Sequence, residues 1–125
     1  AIGNMALVLP GRVGEVVREV ADQLDRRVAV LCSAELSHRH TELSPGGPHP
    51  GARAFDDRIR NGLVDGSSMA LLNIPDKEIE ELGGQDIDAL RLFWGVLDDN
   101  QEKMQERAYE HPFGIGYLTM VAMFH

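Results

Sequence analysis

The sequence predicts an α/β fold, and three features of its hydrophobic pattern indicate this class. An apolar run at residues 5–9 is typical of a strand, which Pro10 would end. Apolar residues then recur at helical spacing, and a second apolar run follows at residues 28–33. A strand, a helix and a strand in this order favour two parallel strands in one sheet. We expect the second strand, apolar on both faces, to be central.

The helix between these two strands has one apolar face. Arg26 and Arg27 follow the helix, where the dipole favours cations. The apolar positions, which follow the i, i+3, i+4, i+7 spacing, are Val13, Val16, Val17, Val20, Ala21 and Leu24.

Two more helices follow a long segment without periodicity at residues 34–50. The first has its apolar face at Ala52, Phe55, Ile59 and Leu63, and we expect Asp56, Asp57, Arg58 and Arg60 on its wetter side. A short apolar stretch follows at residues 69–72. The second helix comes after it, holds Asp76 and Glu78 in its first turn and ends at Gly83 and Gly84.

The last predicted elements are a helix from about Gln85 and a terminal strand. The helix would bury Ile87, Leu90, Phe93, Trp94 and Leu97. From His111 to Phe124 the pattern indicates a glycine-containing turn and then a buried strand that locks the sheet.

Composition narrows the class of protein. A chain of 125 residues predicts one domain over residues 1–125. The net charge of −8, without a basic block, argues against nucleic-acid binding. No apolar stretch is long enough to cross a membrane, and no signal sequence is present, so we expect a cytoplasmic protein. Cys32 has no partner for an internal disulfide and is expected to be a buried, inert thiol.

The strongest functional signal is the polar segment after the apolar run at residues 28–33. In open α/β sheets, ligands bind beyond the carboxyl ends of strands. Ser37 and His38 follow such a strand end, so His38 is predicted to face a crevice. A neutral imidazole there can accept and return a proton near neutral pH.

These residues resemble a known family. The segment Ser33-Ala-Glu-Leu-Ser-His-Arg39 is similar to the SxDLSH element of class III extradiol ring-cleavage dioxygenases. Residues 52–57, 95–97 and 112–117 resemble downstream elements of the same family in the same order. The resemblance covers nearly the whole chain, but only the C-terminal half of the family fold.

The resemblance implies a three-layer α/β sandwich with a central, mostly parallel or mixed sheet. It also implies cleavage of a catechol-type ring by oxygen at a non-haem Fe(II) held by two histidines and a carboxylate. His38 matches the acid/base residue, and Ser37 and His40 would contact the substrate. The carboxylate ligand would be Asp86, with Asp88 and Glu81 as less favoured neighbours.

The two metal-binding histidines of the family come from an N-terminal half without a counterpart here. We therefore expect an aromatic diol substrate and a partner chain or missing segment that supplies them. An incomplete fold of this kind would form a homo-oligomer or bind a complementary subunit.

Three alternatives stay open. The chain could be a catalytically inactive binding or assembly module derived from this fold. His38 and His40 could form a local metal site with Glu42 or His49, since first-row metals accept imidazole and carboxylate together. A metal-dependent hydrolase that uses His38, His40 and a carboxylate is the third.

Overall fold

The computed structural model describes residues 2–66, 71, 73–83, 86–97 and 104–122. These residues form four α-helices and a two-stranded antiparallel sheet, so the α/β class is confirmed. A three-layer sandwich with a parallel sheet is not seen within these ranges. In chain order the elements are α1 (Ile2–Gln23), α2 (Ala52–Asp65), α3 (Asp76–Leu82), α4 (Ile87–Leu97), β1 (Gln105–Glu110), a 3₁₀ turn (Pro112–Gly114) and β2 (Tyr117–Val121).

The N-terminal segment is helical throughout, so the predicted strand at residues 5–9 is wrong. Pro10 lies inside α1 instead of ending an element. A short apolar run does not by itself distinguish a strand from a helix. Packing of α1 against α4 favours the helix here. The predicted apolar face of α1 is present but half exposed, and Val16 keeps 56% of its accessible surface.

Glycines allow α1 and α4 to approach backbone to backbone. A Cβ atom on Gly95 would lie 2.0 Å from the carbonyl oxygen of Gly11. A Cβ atom on Gly14 would lie 2.0 Å from the carbonyl oxygen of Leu92. Neither helix backbone can accept a side chain at these two positions, so the contact depends on both glycines.

The expected central strand at residues 28–33 does not pair with another strand in the described part of the chain. Its burial alternates from residue 30 onwards: Val30 and Cys32 are partly buried, whereas Leu31 and Ser33 are exposed. Val28 and Ala29 are both exposed, so the alternation does not include the start of the segment. This period of two is the pattern of an extended backbone with one face on the core. The prediction of an extended segment agrees with this pattern, but its place in a parallel sheet is not seen.

The core lies where α2, α3 and α4 meet the segment that leads to His38. The predicted helices at these places are confirmed, and α3 ends at Gly83, whose φ of 84° is left-handed. Phe93 and Trp94 pack at the edge of the core and are only partly buried. The core residues are Leu36, Ala52, Phe55, Ile59, Leu63, Leu71, Ile74, Leu82, Ile87, Leu90, Leu97 and Met104.

The sheet at the C-terminal end combines one predicted and one unpredicted strand. The final strand is confirmed as β2, but alternate residues of it are exposed, so it is not a buried strand. The polar strand β1 lacks apolar alternation and gave no sequence signal. The two strands pair antiparallel with Tyr109 opposite Leu118, and the register shifts between Glu106 and Ala108.

Some predictions fall outside the described residues. They concern Gly84, Gln85, the chain after Ala122 and most of the apolar segment at residues 69–72. Within that segment the structure describes Leu71, which is helical and buried. Among the described residues, no helix is both long and apolar enough to span a membrane.

The close contact of α1 with α4 gives a test of the packing. Gly95→Ala should lower the free energy of unfolding by about 1–3 kcal/mol, because the added methyl group overlaps the backbone of α1. Gly11→Ala is the matched control: its Cβ atom would lie 3.9 Å from the nearest atom, the Arg91 carbonyl oxygen. Urea unfolding of the two variants should separate them, and equal stability would contradict the glycine-dependent contact.

Candidate functional site

Backbone hydrogen bonds hold the segment with His38 between two parts of the molecule. On one side, the Leu36 N–H donates to the Gly116 carbonyl at 2.9 Å and the His40 N–H donates to the Gly114 carbonyl at 3.1 Å. On the other side, the His38 N–H donates to the Leu82 carbonyl at the end of α3, also at 2.9 Å. The segment is therefore fixed from both sides.

The centre of this region is the carboxylate of Asp56, which projects from α2 and is fully buried. Its Oδ1 accepts the backbone N–H of Ser37 at 2.8 Å. Its Oδ2 lies 2.5 Å from His40 Nε2 and accepts the Tyr109 hydroxyl at 2.5 Å. We call these four residues the Asp56 cluster. A buried carboxylate is stable only with such partners, because desolvation of an unpaired charge is costly.

Gly116 makes room for the Asp56 cluster. A Cβ atom at this position would lie 2.2 Å from Asp56 Oδ2. The glycine is thus required by the carboxylate beside it and not by a left-handed backbone. The same residue donates its N–H to the Ser37 carbonyl at 2.8 Å, which ties the turn before β2 to the cluster.

In the Asp56 cluster, the carboxylate of Asp56 orients the imidazole ring of His40. With Nε2 directed to the carboxylate, the opposite ring nitrogen of a neutral His40 is an acceptor. Among the described residues, no hydrogen bond reaches that Nδ1 atom. The ring of His111 stacks on His40 with centroids 4.7 Å apart and planes inclined by 9°. A carboxylate that orients an imidazole in this way can support proton transfer at the free nitrogen.

Tyr109 is kept in its neutral, donating form. Burial and then the hydrogen bond to Asp56 raise the pKa of its phenol above the ordinary value. The guanidinium of Arg60 lies over the ring, 3.8 Å from its centroid. Arg60 also donates to Glu106 at 2.6 Å, and this hydrogen bond lowers the pKa of the Glu106 carboxyl. The cation and the phenol together form the outer wall of the cluster.

His38, the predicted acid/base, lies outside the Asp56 cluster. Its Nε2 is 2.9 Å from Glu35 Oε2, but it is buried and makes no aligned hydrogen bond among the described residues. The ring packs against the end of α3, where a Cβ atom on Gly83 would approach His38 Cβ to 2.9 Å. The His38 ring therefore lies next to the Glu35 carboxylate, and its Nε2 has no fixed hydrogen-bond partner among the described residues.

Ser37 and His40, the predicted substrate contacts, are both directed inward. Ser37 is fully buried, and its hydroxyl donates to the Leu82 carbonyl at 3.0 Å and accepts the Arg39 N–H at 3.2 Å. The His40 side chain is 5% exposed and pairs with Asp56. Their roles as substrate contacts stay predictions, but in this structure each holds the segment in place.

Asp86, the predicted metal ligand, lies just before α4. Its Oδ2 accepts the Glu35 N–H at 2.8 Å and so anchors the start of the segment. Burial and, secondarily, the Asp86 charge raise the pKa of the Cys32 thiol, which agrees with the expected inert cysteine. The role of Asp86 as a metal ligand stays a prediction.

The described residues do not form a metal site by themselves. No group of three His, Cys, Asp or Glu side chains is placed among them to hold an ion. The local alternative of His38 and His40 with Glu42 or His49 is therefore not assembled here. His49 instead accepts the Gly51 N–H on Nδ1 at 2.9 Å.

The sequence prediction that Asp56 lies on the wetter side of its helix is wrong. Tyr109 was not identified from the sequence, and His111 was predicted only as the start of a turn, whereas its ring stacks on His40. Asp56 follows Ala52 by four residues and precedes Ile59 by three, so helical spacing itself puts it on the core face. The spacing could have identified it. No local signal relates Tyr109 to Asp56, because these residues are 53 positions apart in the chain.

Two comparisons relate this chain to known proteins. Residues 11–120 match the family model described as the catalytic LigB subunit of aromatic ring-opening dioxygenase. The chain is also 28% identical over 109 residues to Protein CA_C1420 of Clostridium acetobutylicum. This alignment covers 87% of the chain and 23% of that protein, so the chain spans less than a quarter of the length of this relative.

The buried carboxylate can be tested with two adjacent aspartates. Asp56→Asn should lower the free energy of unfolding by about 3–5 kcal/mol, because the amide cannot accept all three contacts and leaves buried groups unpaired. Asp57→Asn, on the exposed side and paired with Arg53 and Arg60, should cost less than about 1 kcal/mol. Urea unfolding at neutral pH measures both, and equal losses would contradict the central role of Asp56.

The raised pKa of Tyr109 predicts an alkaline loss of stability. The folded state holds the phenol proton more tightly than the unfolded chain, so this contribution is complete below about pH 10 and is lost as the pH rises above it. Tyr109→Phe should remove that part of the pH dependence. Unfolding free energies from about pH 8 to 11 test this, with Tyr117→Phe as the control that should keep the wild-type slope.

Proposed function

This chain belongs to the family of catalytic LigB subunits of aromatic ring-opening dioxygenases, and from this premise we propose that it contributes the acid/base half of an extradiol ring-cleavage site. In this proposal the substrate is a catechol-type diol. His38 moves the proton, and a second chain or segment supplies the two metal-binding histidines. The complete fold would then be the three-layer sandwich, with residues 28–36 as one of its strands.

The observation that supports this proposal most directly is the environment of His38. Its Nε2 lies 2.9 Å from Glu35 Oε2, is buried and makes no aligned hydrogen bond among the described residues, so a diol hydroxyl would reach it once the side chains that cover it move. The negative charge of Glu35 would stabilise the ring after it takes a proton. The ring is also held from behind by the end of α3, which limits its motion. A general base needs this combination of fixed position and uncommitted nitrogen.

The neighbouring residues have supporting roles in the proposal. Asp56 accepts the N–H of Ser37 and the Ser37 hydroxyl accepts the N–H of Arg39, so the backbone is fixed on both sides of His38. His40 keeps Nδ1 free of hydrogen bonds among the described residues, so this atom is the part of His40 that can meet a substrate hydroxyl. These contacts place the proton-transfer group at a defined position before substrate binds.

The described residues alone would not hold the metal of such a site, because no three His, Cys, Asp or Glu side chains among them are placed to bind one ion. Bound non-haem iron would supply the coordination positions at which diol and oxygen meet. From this chain, Asp86 is the proposed carboxylate ligand, since its Oδ1 accepts no hydrogen bond among the described residues. The remaining ligands belong to the second chain or segment.

The role of His38 is tested by His38→Gln in the natural polypeptide or assembly that contains this chain. With Fe(II) loaded anaerobically, catechol-dependent oxygen uptake should fall by about 100- to 10,000-fold, because proton transfer is lost. Bound iron per chain, measured by a colorimetric chelator, should be unchanged. His49→Gln is the matched control and should keep the wild-type rate.

Two results would contradict this role. An unchanged rate in His38→Gln would remove His38 from the chemistry. Loss of iron together with loss of rate would make His38 a metal ligand instead of an acid/base. Oxygen electrode traces and iron content taken on the same samples distinguish these two results.

A second candidate function is an inactive binding or assembly module of the same fold. The observation that favours it is a set of exposed apolar side chains, with Leu31 93% exposed and the valines of α1 about half exposed. Surfaces of this kind commonly mark interaction sites. Iron-loaded wild-type protein that consumes no oxygen with catechol would favour this module over the enzyme.

A further inference from the structure

The nitrogen assigned to proton transfer is covered in this structure. His38 Nε2 is buried, although it makes no aligned hydrogen bond among the described residues. Glu35 Oε2 lies 2.9 Å from it, which is a hydrogen-bond distance without the alignment of one. A buried polar atom without a partner is uncommon in folded proteins and calls for an explanation such as a catalytic role or strain. The contact between Glu35 and His38 is therefore a candidate for function.

Two different elements cover the two sides of the His38 ring. The end of α3 packs against the near side, where a Cβ atom on Gly83 would lie 2.9 Å from His38 Cβ and 3.2 Å from Nδ1. This side is fixed, because the His38 N–H donates to the Leu82 carbonyl. The Glu35 carboxylate lies at the opposite nitrogen, Nε2. The side of the ring next to Glu35 is therefore the one that can open.

Glu35 is held by its backbone and not by its side chain. Its N–H donates to Asp86 Oδ2 at 2.8 Å, and the next N–H, that of Leu36, donates to the Gly116 carbonyl. The side chain is 40% exposed, and in the described part of the chain its carboxylate pairs with His38 alone. Rotamer changes of exposed side chains are fast. The carboxylate can thus turn into solvent and uncover Nε2 while the backbone stays in place.

We propose that Glu35 is a gate on the proton-transfer group: its carboxylate occupies the position of a diol oxygen at His38 Nε2 until the substrate displaces it. This inference rests on the proposed function. A diol hydroxyl would donate its proton to Nε2, whereas a carboxylate beside a neutral ring favours the tautomer with a proton already on that nitrogen. Departure of the carboxylate would therefore uncover the base and make its nitrogen an acceptor in one movement.

The gate would keep its charge close to the site. Because Asp86 holds the Glu35 backbone, the displaced carboxylate would stay near the ring and stabilise it after proton transfer. The side chain would thus have two separable effects, which are to cover Nε2 and to provide a negative charge. Alanine at this position removes both effects, whereas glutamine keeps the volume of the side chain and removes the charge.

Chemical labelling tests the covering of Nε2 without turnover. Diethyl pyrocarbonate modifies accessible imidazoles, and trypsin cleavage after Arg27 and Arg39 releases residues 28–39, in which His38 is the only histidine. In the natural polypeptide or assembly, Glu35→Ala should raise the rate of His38 modification about tenfold, because Nε2 no longer has to be uncovered first. Glu35→Gln should stay within about twofold of the wild type, since it keeps the cover. Tandem mass spectrometry of this peptide measures the rates.

Glu81→Ala is the matched control for the labelling. The Glu81 carboxylate is 3.7 Å from His49 Nε2 and its side chain is 46% exposed, so this variant removes a glutamate beside a different histidine. It should leave the His38 rate at the wild-type value. An unchanged rate in Glu35→Ala would overturn the gate, and so would equal increases in Glu35→Ala and Glu35→Gln, because charge alone would then explain them. Circular dichroism checks that each variant is folded.

Oxygen uptake at varied catechol concentration tests the displacement by substrate. In the iron-loaded natural assembly, Glu35→Ala should lower KM about threefold to tenfold, because the diol no longer displaces a carboxylate, and should also lower kcat, because the charge is lost. Glu35→Gln should lower kcat with KM near the wild-type value. An unchanged or higher KM in Glu35→Ala would overturn the gate. Wild-type protein without catechol-dependent uptake would instead contradict the proposed function, and the labelling would still decide whether Glu35 covers Nε2.

Discussion

The buried carboxylate of Asp56 is the interaction on which the site depends. It binds the backbone of Ser37, the imidazole of His40 and the hydroxyl of Tyr109, which come from distant parts of the chain. An ionised group without water is stable only if its partners stay in place. The carboxylate therefore couples α2, the segment with His38 and β1 into one arrangement. Loss of one partner would leave an unpaired polar group in the interior.

This coupling separates the two histidines that lie two residues apart in the chain. His40 is enclosed in the Asp56 cluster, whereas His38 lies against the end of α3 with Glu35 as its neighbour. This arrangement would suit proton transfer. His40 is hydrogen-bonded to Asp56 and holds the segment in place, whereas His38 Nε2 makes no aligned hydrogen bond among the described residues and could exchange a proton. In the proposed site, the segment would both hold the backbone in place and carry the proton-transfer group.

The predicted elements succeeded where periodicity and end signals agreed. The apolar spacing of α2, the acidic first turn of α3 and the glycine at its end were all visible in the sequence and are confirmed. The segment at residues 5–9 failed because five apolar residues suit a helix or a strand equally well. The strand β1 failed because its residues are mostly charged or polar and exposed, so its pairing with β2 leaves no hydrophobic alternation to detect.

The family resemblance and the position of His38 after an apolar segment were determined by the sequence alone, because both depend on residues that are adjacent in the chain. The Asp56 cluster was decided by the tertiary structure, since α2 and β1 bring Asp56 and Tyr109 together across 53 residues. That residues 28–34 pair with no strand among the described residues was likewise visible only in three dimensions. A sequence pattern can predict that a segment is extended, but whether a neighbouring strand satisfies its backbone depends on the rest of the fold.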